Sequence, residues 1–141
     1  MYAPTAHEYD YINEDISVSD LKRIRCAARV AIDSDHHRFR FGAVAVKSGR
    51  YLSAGNNVAK SSPLVPPDRM SIHAEVQTLK GLPTAWGVTL YVVRLDAFGK
   101  MTLAKPCLHC FDYMREVGVS RVVFSVDPST VHSYRLDMIS I

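Results

Sequence analysis

Hydrophobic and polar positions along the chain fall into blocks of two kinds, some with helical spacing and some with continuous apolar runs. The segment SDLKRIRCAARVAI offers Ser or Asp as an N-cap and carries apolar residues near the helical period, which predicts a first helix. FGAVAVKSGRYLSAG reads as two short strands joined by a turn, which is typical of a β-hairpin. The runs GVTLYVVRL and RVVFSV are rich in β-branched residues, as expected for strands covered on both faces.

Two further helices are predicted around these strands. One runs from about Ser71 to Lys80. The other, PCLHCFDYMREVGV, opens with Pro106 at its first helical position and ends at Gly118. Because helices and strands alternate through most of the chain, the pattern predicts a layered α/β domain.

The length of 141 residues suits one domain with a single core. We expect a loosely held N-terminal arm over residues 1–16 and one domain over residues 17–141. No apolar run is long enough to span a membrane, so no membrane partner is expected, and the polar N-terminus lacks a secretory signal, which favours a cytoplasmic location. The formal net charge of +3 is only a mild positive excess, whereas proteins that bind nucleic acid carry dense basic patches.

Two of the three cysteines form a Cys-x-x-Cys pair, which in a reducing compartment indicates metal or redox chemistry. Cys107 and Cys110 open a predicted helix, so their sulfurs should project from neighbouring positions on one face and bind one ion. The partial positive charge of the helix N-terminus is expected to lower the pKa of these thiols. Cys26 is predicted to be a small core residue.

His73 and Glu75 open the other predicted helix, where two apolar residues would serve packing better. If the two helix starts meet at one edge of the sheet, His73 and the cysteine pair supply three ligands that suit zinc, with a fourth position open to water. Glu75 is then placed to move the protons of that water. A Cys-x-x-Cys pair alone would also suit a thiol redox protein, but that function leaves the His-Ala-Glu motif unexplained.

His-Ala-Glu at one helix start and Pro-Cys-x-x-Cys at the next, with a buried strand between them, form the zinc deaminase signature. On these motifs, over about Phe41 to Ser125, the sequence resembles the cytidine and deoxycytidylate deaminase superfamily, and within it the deoxycytidylate deaminase-like branch. The resemblance implies a three-layer α/β/α cytidine deaminase-like fold, with a mixed sheet of about five strands flanked by helices. It also implies a Zn²⁺ cofactor and a homo-oligomer.

The resemblance further implies roles for individual residues. Asn56 matches an asparagine that contacts the substrate, and the backbone N–H of Ala74 lies where a pyrimidine carbonyl is commonly bound. The implied reaction is hydrolytic deamination of cytosine to uracil. The zinc ligands and the proton shuttle of the family are matched, in that order, by His73, Cys107, Cys110 and Glu75.

The substrate stays open between two classes. A free nucleotide or nucleoside such as deoxycytidylate is preferred, because the modest net charge favours a closed pocket with one phosphate site. The alternative is a cytosine or adenine in single-stranded DNA or RNA, suggested by the basic first helix and by the insertion RLDAFGKMTLAK. That insertion is either a hairpin bordering the pocket or an extension of the sheet edge. A weaker hypothesis is a non-catalytic zinc-binding protein of the same fold.

Other expectations concern residues outside this set. Trp86 precedes a buried strand, so we expect it to pack against the sheet rather than stack on a base. His109, between the two cysteines, is expected at the surface. Neither the loop from Asn57 to Met70 nor the C-terminal segment VDPSTVHSYRLDMISI has a pattern that places it.

Overall fold

The computed structural model describes residues 16–34, 40–59, 71–72 and 74–136. The predicted arm over residues 1–16 lies outside the described residues, except for Ile16. Three helices and eight strands are found in the described part. In chain order they are α1 (Val18–Ile32), β1 (Arg40–Lys47), β2 (Arg50–Asn56), β3 (Val58–Ala59), β4 (Ser71–Ile72), α2 (Ala74–Lys80), β5 (Thr89–Leu95), β6 (Met101–Thr102), α3 (Leu108–Val117), β7 (Arg121–Asp127) and β8 (Thr130–Arg135).

Six of the described strands form one mixed sheet in the order β2-β1-β5-β7-β8, with β6 paired to β5. β5 and β7 are parallel and are connected through α3, whereas the other pairings in this sheet are antiparallel. β3 and β4 form a separate two-stranded ribbon. The prediction of a mixed sheet of about five strands is confirmed, with the two-residue β6 as a sixth strand.

Helices cover both faces of the sheet, because its central strands alternate their apolar side chains between two cores. In β1, Ala43 and Ala45 face a core shared with α2 and α3. Val44 and Val46 face a second core shared with α1. The predicted three-layer α/β/α architecture is therefore confirmed, and the position of a residue along its strand decides which face it serves.

α1 begins two residues earlier than predicted. Its N-cap is Ser17, whose hydroxyl accepts from the backbone N–H of Asp20 at 3.0 Å while the Asp20 carboxylate accepts from the N–H of Ser17 at 2.9 Å. This reciprocal capping box satisfies two N–H groups that the helix leaves without partners. α1 lies directly on β1, because a Cβ at Gly42 would overlap the backbone of Ala27 and Ala31.

The other two helices begin later than predicted. Ser71 and Ile72 pair with Val58 and Ala59 as strands, so α2 begins only at Ala74. Cys107 has an extended backbone (φ −71°, ψ 166°) and is the N-cap of α3, which leaves Pro106 outside the helix. The end of α3 is as predicted: Gly118 adopts φ 99°, a conformation that favours glycine.

The predicted β1–β2 hairpin is present, and of the two alternatives left open for the insertion the structure shows a hairpin. β1 and β2 are joined by a turn at Ser48 and Gly49, and the insertion returns as β6 beside the end of β5. β8, which the sequence pattern left unplaced, pairs with β7 as a third hairpin. No helix in the described ranges is long and apolar enough to cross a membrane.

Two predictions about single side chains fail. Trp86 does not pack against the sheet, since 72% of its surface is exposed. Cys26 is half-buried at the edge of the α1 core, where its sulfur lies 3.5 Å from the Tyr51 hydroxyl. His109 is exposed, as predicted.

Candidate functional site

The first turn of α2 buries a carboxylate. Glu75 is only 4% exposed and follows Ala74, which is completely buried. The helix is held in place by Thr78, whose hydroxyl donates to the Ala74 carbonyl at 2.7 Å and whose own carbonyl accepts from Ser53 at 2.7 Å. Gly55 lets the helix lie this close to β2, because a Cβ there would stand 2.7 Å from the Thr78 hydroxyl oxygen. Glu75 is therefore positioned by tightly packed neighbours.

The start of α3 supplies the two thiols. Cys110 is 2% exposed and belongs to the core of the α2 and α3 face, whereas Cys107, the N-cap, is exposed. Pro106 is buried just before them. The pair thus extends from the core to the surface at the N-terminal end of α3.

The fold brings these two helix starts together. The thiol of Cys110 is hydrogen-bonded to the side chains of both Cys107 and Glu75. Burial raises the pKa of Cys110, and the negative charge of Glu75 and the contacts with Cys107 raise it further. The net shift in the pKa of Cys110 is therefore opposite in direction to the lowering that was predicted from the helix N-terminus. A divalent cation would reverse this balance, because it stabilises a thiolate and a carboxylate together.

The predicted third ligand, His73, lies outside the described residues, between Ile72 at the end of β4 and Ala74 at the start of α2. No group of three or more His, Cys, Asp or Glu side chains in the described ranges could hold a metal ion. Two thiols at one helix start do fit zinc, which prefers sulfur and imidazole ligands. A zinc site here would accordingly need His73 in addition to Cys107 and Cys110.

Asn56, the predicted substrate contact, is placed on the other face of the sheet. It is paired with Gly42, which faces α1, and its side-chain amide donates to the Val30 carbonyl of α1 at 3.3 Å. The structure does not bring Asn56 together with Glu75 and the cysteines. Its role in substrate binding stays a prediction.

The next residue, Asn57, is a buried polar group that the sequence analysis did not single out. Its side-chain oxygen accepts from the Ser34 hydroxyl and from the backbone N–H of Phe41, both at 2.7 Å. These bonds tie the end of β2 to the start of β1 and to the segment after α1. The strand period could have indicated Asn57, because Gly55 and Ser53, two and four residues earlier, both contact α2.

Two parts of the insertion, the side chain of Arg94 and the hairpin tip around Phe98, lie at the edge of the sheet where α3 begins. Arg94 is half-buried on the α2 and α3 face, with its guanidinium 5.7 Å from the ring centre of Phe41. Beyond it, the Asp96 carboxylate accepts from the N–H groups of Phe98 and Lys100 at 2.8 and 3.0 Å and orders the hairpin tip. Phe98 is consequently held in a fixed turn, 88% exposed.

Comparison with known proteins gives one family and a consistent fold. A family model described as the cytidine and deoxycytidylate deaminase zinc-binding region matches residues 17–126. No curated protein sequence matches the chain significantly.

Solved structures of deaminases share the fold. A dCMP deaminase from the cyanophage S-TIM5 is 21% identical with a TM-score of 0.60, over 77% of this chain and 84% of that one. The same phage enzyme in complex with dCMP and dUMP aligns at 18% identity and a TM-score of 0.54, over 78% and 83% of the two chains. A cytidine deaminase from Burkholderia pseudomallei is 20% identical with a TM-score of 0.64, over 86% and 94%.

Proposed function

Because the chain belongs to the family of the cytidine and deoxycytidylate deaminase zinc-binding region, we propose that it is a zinc-dependent hydrolytic deaminase that converts a cytosine moiety to uracil. The observation that carries the proposal is the meeting of Glu75 from α2 with Cys107 and Cys110 from the start of α3. A buried carboxylate beside two thiols unites a proton carrier with zinc-binding groups, which is the arrangement that zinc deaminases use.

Each group has a part in the reaction. Cys107, Cys110 and His73 would hold the zinc ion, which when bound makes water acidic enough to lose a proton near neutral pH. The Glu75 carboxylate accepts that proton, and the water oxygen adds to the ring carbon that bears the amine. Glu75 returns this proton to the ring nitrogen, then takes the second proton from the hydroxyl that has been added to the ring and passes it to the departing amine. Water is consumed, ammonia leaves, and the cytosine ring becomes a uracil ring.

The first turn of α2 serves substrate orientation as well. The N–H of Ala74, as the first residue of α2, has no acceptor within the helix, and we assign it to the pyrimidine carbonyl. Because Ala74 is packed without exposed surface, this donor has little freedom to move. A fixed donor next to the proton carrier would hold the ring in one orientation during attack.

The preferred substrate is a free nucleotide such as deoxycytidylate. Support comes from the modest net charge of +3 and from the likeness of the fold to a phage deaminase solved with dCMP and dUMP. A free nucleotide needs a site for one phosphate group. Arg94, half-buried on the α2 and α3 face, is the described basic residue that we assign to this charge.

A second candidate substrate, a base within single-stranded nucleic acid, is favoured by the hairpin tip. Phe98 stands almost fully exposed beside Lys100, and the Arg40 guanidinium donates to the Asp96 carbonyl at 3.1 Å. An aromatic side chain next to cationic ones can stack a base and attract its phosphate. A non-catalytic zinc protein is less favoured, because a purely structural metal site has no use for a buried Glu75.

The test is to offer zinc-loaded protein three substrates together: deoxycytidylate, cytidine and a cytosine-containing single-stranded DNA. Mass spectrometry follows the replacement of the amine by a carbonyl oxygen in each. Glu75→Gln is the inactive variant, and Glu116→Gln, an exposed residue of α3, is the matched control with the same change of side chain. We expect the wild type and Glu116→Gln to convert deoxycytidylate and Glu75→Gln to convert none.

Other outcomes decide between the candidates. Conversion of the DNA with both monomers untouched would replace the nucleotide by the polynucleotide as substrate. Absence of any conversion by well-metallated protein would contradict deamination of cytosine. The expected homo-oligomer is a separate proposal, which sedimentation of the zinc-loaded chain tests.

A further inference from the structure

A cavity lies at the opposite end of α3 from the candidate site. Its volume is about 330 Å³, and its lining includes Trp86, Gly87, Arg115, Gly118 and Ser120. Arg115 lies in the last turn of α3 and Gly118 is its C-cap, whereas Cys107 is its N-cap. At 1.5 Å per residue, the ten residues of α3 separate the two places by roughly 15 Å.

Trp86 forms one wall of this cavity and is fixed there. A Cβ at Gly118 would stand 3.0 Å from the Trp86 ring, so the indole rests against the glycine that ends α3. The backbone N–H of Trp86 donates to the Thr84 hydroxyl at 3.1 Å, and the backbone N–H of Gly87 donates to the Gly118 carbonyl at 3.0 Å. A large aromatic ring that stays exposed on a fixed backbone is a ready platform for stacking.

The lining of the cavity carries positive charge. Among the described residues that line it, Arg115 is the sole ionisable side chain. The Lys47 ammonium adds a second positive charge, 3.8 Å from where a Cβ of Gly87 would stand. The acidic residues nearest along α3 are Asp112 and Glu116, and neither makes an ion pair with Arg115 within the described ranges. The cavity therefore suits a ligand that carries negative charge.

From this arrangement we propose that the cavity is a second binding site that takes a free mononucleotide. The base stacks on Trp86 and the phosphate pairs with Arg115, which presents several N–H donors to an anion. The volume lies at the lower end of the range for small-molecule sites, which suits one base with its phosphate. The site is separate from the proposed deamination and does not depend on it.

Indole fluorescence can measure the occupancy of this site, because Trp86 is the single tryptophan of the chain. The probe is AMP, whose base is a purine and not the proposed substrate, titrated into the full zinc-loaded chain while indole emission is recorded. We expect saturable quenching by AMP, weaker quenching by adenosine and none by inorganic phosphate. Glu75→Gln should bind AMP as tightly as the wild type, which separates this site from the candidate active site.

Variants then test the two contacts by calorimetry. Arg115→Gln should weaken AMP binding about tenfold and leave adenosine binding unchanged, since only the phosphate contact is lost. Arg50→Gln, an exposed arginine in the β1–β2 hairpin, is the control with the same loss of charge. Trp86→Ala should abolish binding of both ligands, whereas Trp86→Phe, which keeps an aromatic ring, should retain most of it.

Three results would overturn the proposal. The first is no saturable change in Trp86 emission up to millimolar AMP. The second is an equal weakening of AMP binding by Arg115→Gln and Arg50→Gln, which would mean that only the net charge of the chain matters. The third is emission that changes with protein concentration and not with AMP, or with single-stranded DNA more strongly than with AMP. That outcome would assign the surface to a second copy of the chain or to nucleic acid.

Discussion

Both faces of the sheet bury ionisable groups. The α1 face places a cation beside its buried carboxylate, whereas the α2 and α3 face places a carboxylate beside its buried thiol. On the α1 face, the guanidinium of Arg121 donates to both carboxylate oxygens of Asp20 at 3.0 and 2.9 Å. Burial alone would raise the pKa of Asp20, but the hydrogen bonds from Arg121, Tyr91 and Ser17 outweigh it and hold the pKa at about 2. The buried carboxylate on this face has its counter-charge within the chain.

On the α2 and α3 face, the neighbours of the buried thiol increase the free energy of its ionisation. Cys110 lies against Glu75 and Cys107, and its pKa is raised by burial and by both of these neighbours. Such a cluster is unfavourable as a set of anions until a cation is bound. The α1 face thus pairs its buried polar groups in a way that favours stability, whereas the buried groups of the α2 and α3 face are the ones assigned to the proposed reaction.

The largest effect should come from Glu75→Gln. Loss of the proton carrier should lower the deamination rate by about 10³-fold, within the range for general acid–base catalysis. The free energy of unfolding should change little, because the amide has the same shape. Steady-state kinetics beside chemical unfolding measures the two quantities. If Glu75→Gln lost stability in proportion to its loss of activity, the two faces would not differ in what their buried polar groups contribute.

The α1 face should show the reverse pattern when Arg121 is replaced. Arg121→Met leaves Asp20 buried without its counter-charge, and we expect the free energy of unfolding to fall by about 3 kcal/mol. The rate per folded molecule should stay close to the wild-type value. Urea unfolding checks the first expectation, with Arg29→Met, an exposed arginine of α1, as the control. A large loss of kcat in folded Arg121→Met would show that the faces are coupled.

Zinc should stabilise the chain through the α2 and α3 face alone. At zinc concentrations a hundredfold above Kd, binding to the folded state should add about 2.7 kcal/mol of stability, and a chelator should remove it. The gain should vanish in Cys110→Ser and persist in Cys26→Ser, which changes the half-buried cysteine of the other core. Thermal unfolding with and without chelator gives the shift in Tm. An equal gain in both variants would place the metal elsewhere.

The smallest effect is the acid dependence that Asp20 confers. Its folded pKa of about 2 lies below the ordinary 3.8, so its contribution is complete above pH 3.8 and is lost as the pH falls towards 2. The loss should be about 2 kcal/mol. Unfolding free energies of wild type and Asp20→Asn, measured across this interval, should converge at the acid end. Two curves that remain parallel would contradict the assignment.

Most of the layered fold and the candidate residues of the site follow from local patterns. The period of two in strands such as GVTLYVVRL and the cap signal at Gly118 depend on neighbouring residues, so they are visible in the sequence. The His-Ala-Glu and Pro-Cys-x-x-Cys motifs indicated the candidate reactive residues for the same reason, because each motif consists of neighbouring positions. The structure brings Glu75, Cys107 and Cys110 together as these motifs predicted, although both helices begin later because β-pairing and an extended Cys107 take up the first positions.

The sequence by itself determined most of the helices and central strands and indicated the residues that would carry the proposed chemistry. The tertiary structure decided what depends on distant partners: that Asn56 faces α1 while Asn57 ties β2 to β1, that the charge of Asp20 is balanced by Arg121, and that Cys110 lies against Glu75. It also decided that Trp86 remains exposed beside Arg115. The physical reason is that strand parity, burial and electrostatics depend on the neighbours that the fold brings together, and no local period encodes them.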